Sequence, residues 1–445
     1  MTEEETRDLE ATISRRELVK RAGVGMGGVV LAGAGAPSAW ARVTHEAASE
    51  ANTLKIGFIS PLTGGLAGFG EADPWIVGEA RKALAKGLTV GGKTYAVQFI
   101  QKDTQSDPVR AGQLAKTLIN GDKVDLMLAT STPEVVNPVA DACEAARVPC
   151  VSTVVPWEAW YFGRGAKPGK PSPFKWTFHF SFGVGDFAKC YLTQWKLIPT
   201  NKKVGVMWPN DADGNAIRAA LGPMLQKGGF MIVDPGAYED GTTDYSSQIA
   251  KFKQEDCQIF NTFPLPPDFA VFWRQAAQQG FQPKIAQIAK TGLFASQVAA
   301  LGSLGYNLAT GIYWGPTWPY RSALLGMTNA QLADAYTKAT GRQWLQQIGS
   351  SVSLIEVGVA ALKKSGNPKN KAAVAKAFKT LKVSTPVGVI DFPHGPIPGT
   401  VFNGAIIGTQ WVKAKPGSKF KLDLVVTSHA GDPKVSIQAK LKPYR

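Results

Sequence analysis

Two clusters of hydroxyl side chains, about twenty residues apart, are the part of the sequence best suited to binding a small polar group. They occupy residues 130–132 (Thr-Ser-Thr) and 152–153 (Ser-Thr), and each ends an apolar run that is typical of a buried strand, "VDLMLAT" or "VPCVSTV". Ser131 falls in a turn before a helix, of which Thr132 is the expected N-cap and Pro133 the first residue. The hydroxyls and free amides of such a turn favour a carboxylate.

The elements that position these hydroxyls alternate between strand and helix patterns. The strands are "LKIGFIS", "YAVQFIQKD", "VDLMLAT" and "VPCVSTV", and a second run of four follows the Pro/Gly-rich loop 163–173: "KVGVMWP", "MIVDPGAY", "CQIFNTF" and "KIAQIAK". This alternation predicts parallel sheets with helices on both faces. Because the same plan occurs twice, we expect two α/β lobes.

The order of elements changes from about residue 310. A strand "TGIYWG", three helical segments between about residues 329 and 381, a strand "VGVIDF" and a final hairpin complete the chain. These pieces do not make a third domain, so we expect the two lobes to share them.

Ligands of open parallel sheets bind beyond the carboxyl ends of the strands. If the strands ending at Thr130 and Thr153 are neighbours, they lie about 5 Å apart and both hydroxyl clusters converge on one point. The alternative is that Thr132 serves only as a cap and that residues 152–153 only begin a loop. The Gly-rich turn "PLTGGLAGFG" after the first strand favours a binding cleft, although it lacks the pattern of a phosphate loop.

Composition limits the classes of function. The chain has 445 residues, of which 44% are hydrophobic, and 49 Lys+Arg against 34 Asp+Glu give a formal charge of +15. The basic residues are scattered and match no nucleic-acid motif, so we predict a solvated basic surface and no nucleic-acid partner.

The first 41 residues have the order of an export signal. Arg15 and Arg16 precede a short Gly-rich apolar stretch and a small-residue cleavage site, Ala39-x-Ala41, as in a twin-arginine signal peptide. We therefore expect a signal peptide at 1–41, a polar spacer at 42–53 and a mature protein that is periplasmic or otherwise extracytoplasmic. Four cysteines allow three complete disulfide pairings: Cys143, Cys150, Cys190 and Cys257.

Four segments, in this order, resemble the extracytoplasmic substrate-binding proteins of ABC importers. They are "IGFISPLTGGLAGFG", "DTQSDPVRAGQLAKTLI", "STPEVVNPVADACEAARVP" and "SSQIAKFKQEDCQIF". The resemblance is to the Leu/Ile/Val-binding proteins, which have the type I periplasmic-binding fold. It implies two doubly wound parallel-sheet lobes joined by a three-segment hinge, with crossings near residues 178–181, 313–316 and 390–393. The implied lobes are 54–178 plus 317–389 and 179–316 plus 390–445.

The resemblance also implies where a ligand is held. The hydroxyls of Ser131, Ser152 and Thr153 fall where such proteins clasp a carboxylate, and Phe69 falls where an aromatic ring covers the ligand. Thr132, beside Ser131, is a further candidate ligand-binding residue. The second lobe contributes strand ends, which here carry Trp208, Asn210, Phe263, Lys290 and Thr291.

This sequence departs from the amino-acid-binding pattern at Lys290. An acidic residue commonly holds the ligand's ammonium there, whereas a lysine repels an ammonium and attracts an anion. Asp211 or Asp213 are possible substitutes for that acid. Aromatic residues crowd the predicted strand ends, Trp157 among them, and favour a flat apolar body.

We therefore predict an exported solute-binding protein that captures a small aromatic or aliphatic carboxylate by hinge closure and delivers it to the membrane subunits of an ABC permease. A branched-chain or aromatic amino acid is the alternative ligand, and sensing for a separate receptor is the alternative role. Four histidines and no recognisable catalytic motif argue against an enzyme. We expect no cofactor and no metal.

Overall fold

The computed structural model describes residues 52–444, and the structural statements below refer to those residues. The expected signal peptide at 1–41 lies outside them, as does the expected spacer except for its last two residues. No helix in this described part combines the length and the apolar character that a membrane crossing requires.

Sixteen strands in the described residues form two seven-stranded sheets and a separate hairpin. In chain order the strands are β1 (Thr53–Ser60), β2 (Leu88–Val90), β3 (Lys93–Asp103), β4 (Leu126–Thr130), β5 (Cys150–Thr153), β6 (Thr177–Ser181), β7 (Lys203–Met207), β8 (Met231–Val233), β9 (Ile259–Thr262), β10 (Ile285–Ile288), β11 (Ala309–Ile312), β12 (Lys382–Thr385), β13 (Gly388–Asp391), β14 (Val401–Asn403), β15 (Ile407–Lys413) and β16 (Leu422–Ser428).

Both sheets are mainly parallel. The first has the order β14-β6-β5-β4-β1-β3-β2, and only its edge pair β2–β3 is antiparallel. The second has the order β16-β15-β11-β10-β9-β7-β8, with an antiparallel edge formed by β15 and β16. The predicted fold class, two doubly wound α/β lobes, is confirmed, as are the eight strands of the two alternating runs.

Helices connect the strands as the alternating pattern predicts. The α-helices of the described residues are α1 (Asp73–Ala83), α2 (Pro108–Asn120), α3 (Pro133–Ala146), α4 (Trp157–Tyr161), α5 (Val184–Trp195), α6 (Ala212–Lys227), α7 (Ser246–Gln254), α8 (Pro266–Gln278), α9 (Ala295–Ala299), α10 (Asn329–Thr340), α11 (Gln347–Lys364) and α12 (Lys371–Lys379). The three helices expected after residue 329 are therefore present.

Local sequence explains where individual helices begin. The side chain of Asp107 caps α2 by accepting a hydrogen bond from the Arg110 amide at 2.6 Å, and Pro108 supplies a first residue that needs no partner for its nitrogen. Helix α11 is buried along almost its whole length, where it packs against α1, β4 and β5 of the first lobe. The buried serines of α11 have small side chains, which allow the helix to lie close to these elements. One of them, Ser351, donates a hydrogen bond to buried Asp73 at 2.6 Å.

The passages between the sheets differ from the expected positions at two points. Residues 178–181 belong to β6, so the chain leaves the first sheet only after Ser181. The third passage lies between Asn403 and Ile407 rather than at residues 390–393, because β14 pairs with β6 in the first sheet and "VGVIDF" forms a hairpin with β12. A strand of three residues carries too little pattern to be recognised in the sequence.

Candidate ligand-binding site

The two hydroxyl clusters lie side by side at the carboxyl ends of neighbouring strands. Strands β4 and β5 pair in parallel, with Thr130 opposite Thr153 and Ala129 opposite Ser152. The predicted adjacency is thus confirmed, and it places the turn before α3 beside the turn that follows β5.

The four predicted hydroxyls of these clusters have different surroundings. Thr132 lines a cavity between the lobes, and its hydroxyl is buried without a hydrogen-bond partner among the described residues. The hydroxyl of Thr153 is likewise buried and unpartnered. In contrast, Ser131 bonds to the Thr130 hydroxyl at 3.2 Å and Ser152 bonds to Nδ1 of His179 at 2.9 Å. Thr132 is therefore the hydroxyl best placed for a ligand.

The backbone at these strand ends is held in an uncommon conformation. Ser131, Thr132 and Val154 all have positive φ values, 71°, 60° and 62°, which non-glycine residues rarely adopt. Thr132 precedes α3 as predicted, but its side chain makes no capping bond, and its amide donates to the Val154 carbonyl instead. The first-turn amides of α3 are therefore left without a cap from the Thr132 side chain. Such strain often accompanies a functional site.

Phenylalanines enclose the cavity. Phe69 lines it from the first lobe, and Phe182, Phe187 and Phe263 line it from the passage and the second lobe. Phe187 meets Phe182 and Phe263 edge to face, with ring centroids 5.1 Å and 5.2 Å apart. The predicted Phe69 and Phe263 are thus cavity residues, while Phe182 and Phe187 were not anticipated. The only signal for them was their position just after the strand "TFHFS".

Four other predicted residues have partners within the protein and do not line this cavity. The Trp208 indole donates to Asn261 at 2.9 Å, the Thr291 hydroxyl donates to the Pro264 carbonyl at 2.9 Å, and Asn210 donates to Glu239 at 2.7 Å. Trp157 packs on aromatic neighbours of α4. These four residues thus lie near the strand ends, but they do not line the cavity.

Lys290 lies at the end of β10 and lines the cavity, but its charge is already neutralised. Its ammonium is 2.7 Å from a carboxylate oxygen of Asp211 and 3.1 Å from one of Asp213, and all three side chains are largely buried. The expectation that Lys290 is free to attract a ligand anion is therefore wrong. Asp211 is the N-cap of α6 and Asp213 lies in its first turn, which explains how two acids come to face one lysine.

The cluster around Lys290 carries an excess of negative charge. Glu134, in the first turn of α3, lies close enough to influence Lys290 and Asp213, and neither of its buried carboxylate oxygens has a hydrogen-bond partner in the described residues. Burial raises the pKa of Asp213 to about 7 although the Lys290 ammonium opposes the shift. Burial by itself lowers the pKa of Lys290. The negative charges of Asp213 and Asp211 have the larger combined effect, so the pKa of Lys290 is raised overall.

One oxygen of Asp213 remains available to a ligand. Its Oδ1 is buried without a hydrogen-bond partner in the part of the chain described here. An N–H or O–H donor therefore fits against Asp213, while a carboxylate at that end of the cavity would meet three acids and one lysine. The cavity holds only about 40 Å³ of open space in this structure.

A buried serine–histidine pair has no catalytic geometry. Ser152 and the His179 ring are completely buried, and His179 bonds through its second nitrogen to the Val155 carbonyl at 2.9 Å. Burial lowers the pKa of His179 to about 3. Among residues 52–444 this pair has no acidic partner, and neither residue lines the cavity, which fits a structural role. The four cysteines are buried free thiols.

Two similar α/β lobes with an aromatic cavity between their strand ends define a two-lobed solute-binding protein. Residues 53–397 match the family model described as periplasmic binding protein, and the chain belongs to that family. Among its relatives is Leu/Ile/Val-binding protein homolog 3 of Brucella melitensis, 23% identical over 357 residues that cover 76% of this chain and 87% of that protein. Homolog 8 of Brucella abortus is 22% identical over 200 residues, which are 44% of this chain and about half, 46%, of that protein.

Solved structures of the same fold have different ligands. A solute-binding protein of an ABC transporter from Rhodopseudomonas palustris, in complex with 3,4-dihydroxybenzoic acid, has a TM-score of 0.66 and 21% identity over 85% of this chain and 97% of its own. The branched-chain amino acid transporter substrate-binding protein LivJ from Streptococcus pneumoniae, in complex with isoleucine, has a TM-score of 0.64 and 19% identity over 85% of this chain and 100% of its own. At such identities the likeness establishes the fold alone.

Proposed function

We propose that this chain is an exported solute-binding protein that captures a small organic solute between its lobes and delivers it to the membrane subunits of an ABC importer. The observation that carries the proposal is the interlobe cavity, with phenylalanines along its walls and polar groups from both lobes at its ends. Contacts from both lobes stabilise the closed form, so the ligand shifts an open–closed equilibrium by hinge closure.

The ion pairs of Lys290 change which ligand we favour. An amino acid with a branched or aromatic side chain fits best: its carboxylate lies at the Thr132 hydroxyl, and its ammonium lies at Asp213. The phenylalanines enclose its side chain, which is worth about 1.5–3 kcal/mol for a fully buried apolar group. This ligand replaces the amine-free carboxylate that Lys290 alone suggested.

The second candidate is an aromatic carboxylate with a phenolic hydroxyl. The walls of the cavity suit a flat ring, and a phenol donates a hydrogen bond to Asp213 without requiring a positive charge. The complex of the Rhodopseudomonas palustris protein with 3,4-dihydroxybenzoic acid supports this alternative.

Calorimetric titration with two ligand panels tests the proposal. One panel holds aliphatic and aromatic amino acids, and the other holds hydroxybenzoates and short-chain carboxylates. We expect micromolar or tighter binding of amino acids and a loss of about 100-fold in Asp213→Asn, because the ammonium loses its charged partner. Asp334→Asn, an exposed acid on α10, is the matched control and leaves the affinity unchanged.

The pH dependence separates the two candidates. The pKa of Asp213 is raised to about 7, so below pH 7 an ammonium ligand binds only after Asp213 has lost its proton. The affinity for such a ligand therefore falls by up to about tenfold for each pH unit below 7. A phenol does not require the ionised form. Binding of hydroxybenzoates alone, without this slope, selects the second candidate, and binding in neither panel refutes both. Loss of radiolabelled solute uptake on deletion of the gene distinguishes transport from sensing.

A further inference from the structure

A second cavity, of about 520 Å³, lies next to the ligand cavity and has a different character. Basic side chains dominate its charged lining: Arg342, Lys419 and Lys421, against the single acid Glu71. Glu71 is engaged, since it lies 3.4 Å from Arg342 and accepts a hydrogen bond from Tyr336 at 3.0 Å. Lys419 and Lys421 form no ion pair with a described residue, which leaves the cavity positively charged.

An aromatic pair separates the two cavities. Phe294 lines the second cavity and packs edge to face on Phe69 of the ligand cavity, with ring centroids 5.0 Å apart. Leu293, the residue before Phe294, lines the ligand cavity itself. An occupant of the second cavity therefore lies behind the ring that covers the ligand, not in the ligand's own place.

Both lobes contribute to the second cavity. Glu71 and Arg342 flank helices of the first lobe, whereas the lysines lie on the hairpin β15–β16 of the second sheet. The hairpin already touches the first lobe, because Gln343 donates a hydrogen bond to the Leu422 carbonyl at 2.8 Å. Lys419 also lies close to Gly341 at the carboxyl end of α10, where helix carbonyls attract a cation. Arg342 and the two lysines are thus cations from opposite lobes that face one space.

We propose that this second cavity binds a small multivalent oxyanion, and that the bound anion favours lobe closure by bridging Arg342 to Lys419 and Lys421. Like charges from opposite lobes repel when the cavity is closed, and an anion between them converts that repulsion into attraction. The recognised chemistry is a cluster of phosphate or carboxylate oxygens, for which a guanidinium supplies paired donors and lysines supply point charges. This goes beyond the proposed function, because the anion is an effector and not the transported solute.

Thermal unfolding of the purified protein without solute tests the anion site directly. Inorganic phosphate and citrate are compared, each at 20 mM, with sodium chloride at the same ionic strength. For a dissociation constant of about 1 mM we expect the unfolding midpoint to rise by about 2 °C. The double variant Lys419→Ala/Lys421→Ala removes the rise. The double variant Lys413→Ala/Lys415→Ala keeps it, because those lysines are exposed on the same hairpin but do not line the cavity.

The comparison of anions and variants decides the outcome. A rise with phosphate alone assigns the site to phosphate-type groups, and a rise with citrate alone assigns it to carboxylates. The proposal is overturned if the anions raise the unfolding midpoint equally in the wild type and both double variants. It is also overturned if they raise it no more than sodium chloride does. Where a solute has been identified, the same anion is expected to tighten its binding several-fold in the wild type and not in Lys419→Ala/Lys421→Ala, since coupling between two sites is reciprocal.

Discussion

Replacing Lys290 with methionine removes the cation that pairs with Asp211 and Asp213 at the end of the ligand cavity. The ammonium lies 2.7 Å from Asp211 and 3.1 Å from Asp213, and only 7% of the lysine side chain is exposed. Methionine keeps the length and the apolar stem of the side chain. The substitution therefore leaves the packing nearly unchanged and leaves two buried carboxylates, with Glu134 nearby, without a counter-ion.

The expected loss follows from these distances. With an effective dielectric constant of about 20, the two ion pairs contribute about 6 and about 5 kcal/mol of attraction. Removing the lysine from water offsets several kcal/mol of this gain. The attraction that is left after this offset agrees with the loss of about 3–5 kcal/mol that is typical when one partner of a buried ion pair is removed. We therefore expect Lys290→Met to lower the free energy of unfolding by about 3–5 kcal/mol at pH 8.

Urea unfolding followed by circular dichroism measures the loss. Lys251→Met is the matched control, because Lys251 pairs with Glu255 at 3.0 Å on the surface, where solvent screens the pair and its loss is expected to change stability little. The deficit of Lys290→Met is expected to shrink between pH 8 and pH 5, because the pKa of Asp213 is raised to about 7 and its unpaired carboxylate takes up a proton in that range. A loss no larger than that of the control, or a deficit that does not change with pH, would refute the counter-ion role of Lys290.

Two further predictions concern the first lobe. Burial raises the pKa of Asp73 to about 7 although Ser351 and Ser60 oppose the shift, so the folded state binds a proton more tightly than the unfolded chain. The wild type should lose stability as the pH rises from about 4 to about 7, and Asp73→Asn should remove that part of the slope in urea titrations; an unchanged slope would contradict this assignment. Phe69→Ala should weaken ligand binding about 10- to 100-fold in calorimetry, because it exposes the ligand's apolar body, and an unaltered affinity would show that Phe69 does not cover the ligand.

The sequence predicts most of the fold because buried parallel strands are short continuous apolar runs, whereas amphipathic helices repeat apolar residues every three or four positions. It also predicts that residues 130–132 and 152–153 meet, since consecutive strands of an alternating α/β run are commonly neighbours and their carboxyl ends share one edge. Thr132 follows from that rule, whereas Phe69 and Phe263 were implied by the family resemblance. The same rule does not say which hydroxyl at a strand end faces the ligand, because side-chain direction depends on backbone angles such as the positive φ of Thr132.

The electrostatics of the site escaped prediction for a different reason. Lys290 and Asp211 are 79 residues apart in the chain, and nothing local records that α6 brings Asp211 and Asp213 against the end of β10. Considered without its neighbours, Lys290 suggests a site for an anion. Paired with Asp211 and Asp213, it belongs to a cluster with an excess of acids, which favours a hydrogen-bond donor or a cation. Charge at a binding site is a property of the folded neighbourhood, and single residue types predict it poorly.

The pairing of β14 with β6 limits how the two lobes can move. Asn403 lies opposite Ser181, and the Gly404 amide donates a hydrogen bond to the Ser181 carbonyl, so two of the three interlobe connections start side by side. If the lobes close as proposed, we expect these two adjacent connections to bend together. We therefore expect closure to be mainly a bending motion about that pair of connections. One interlobe distance, measured between a pair of spin labels, would then report that motion.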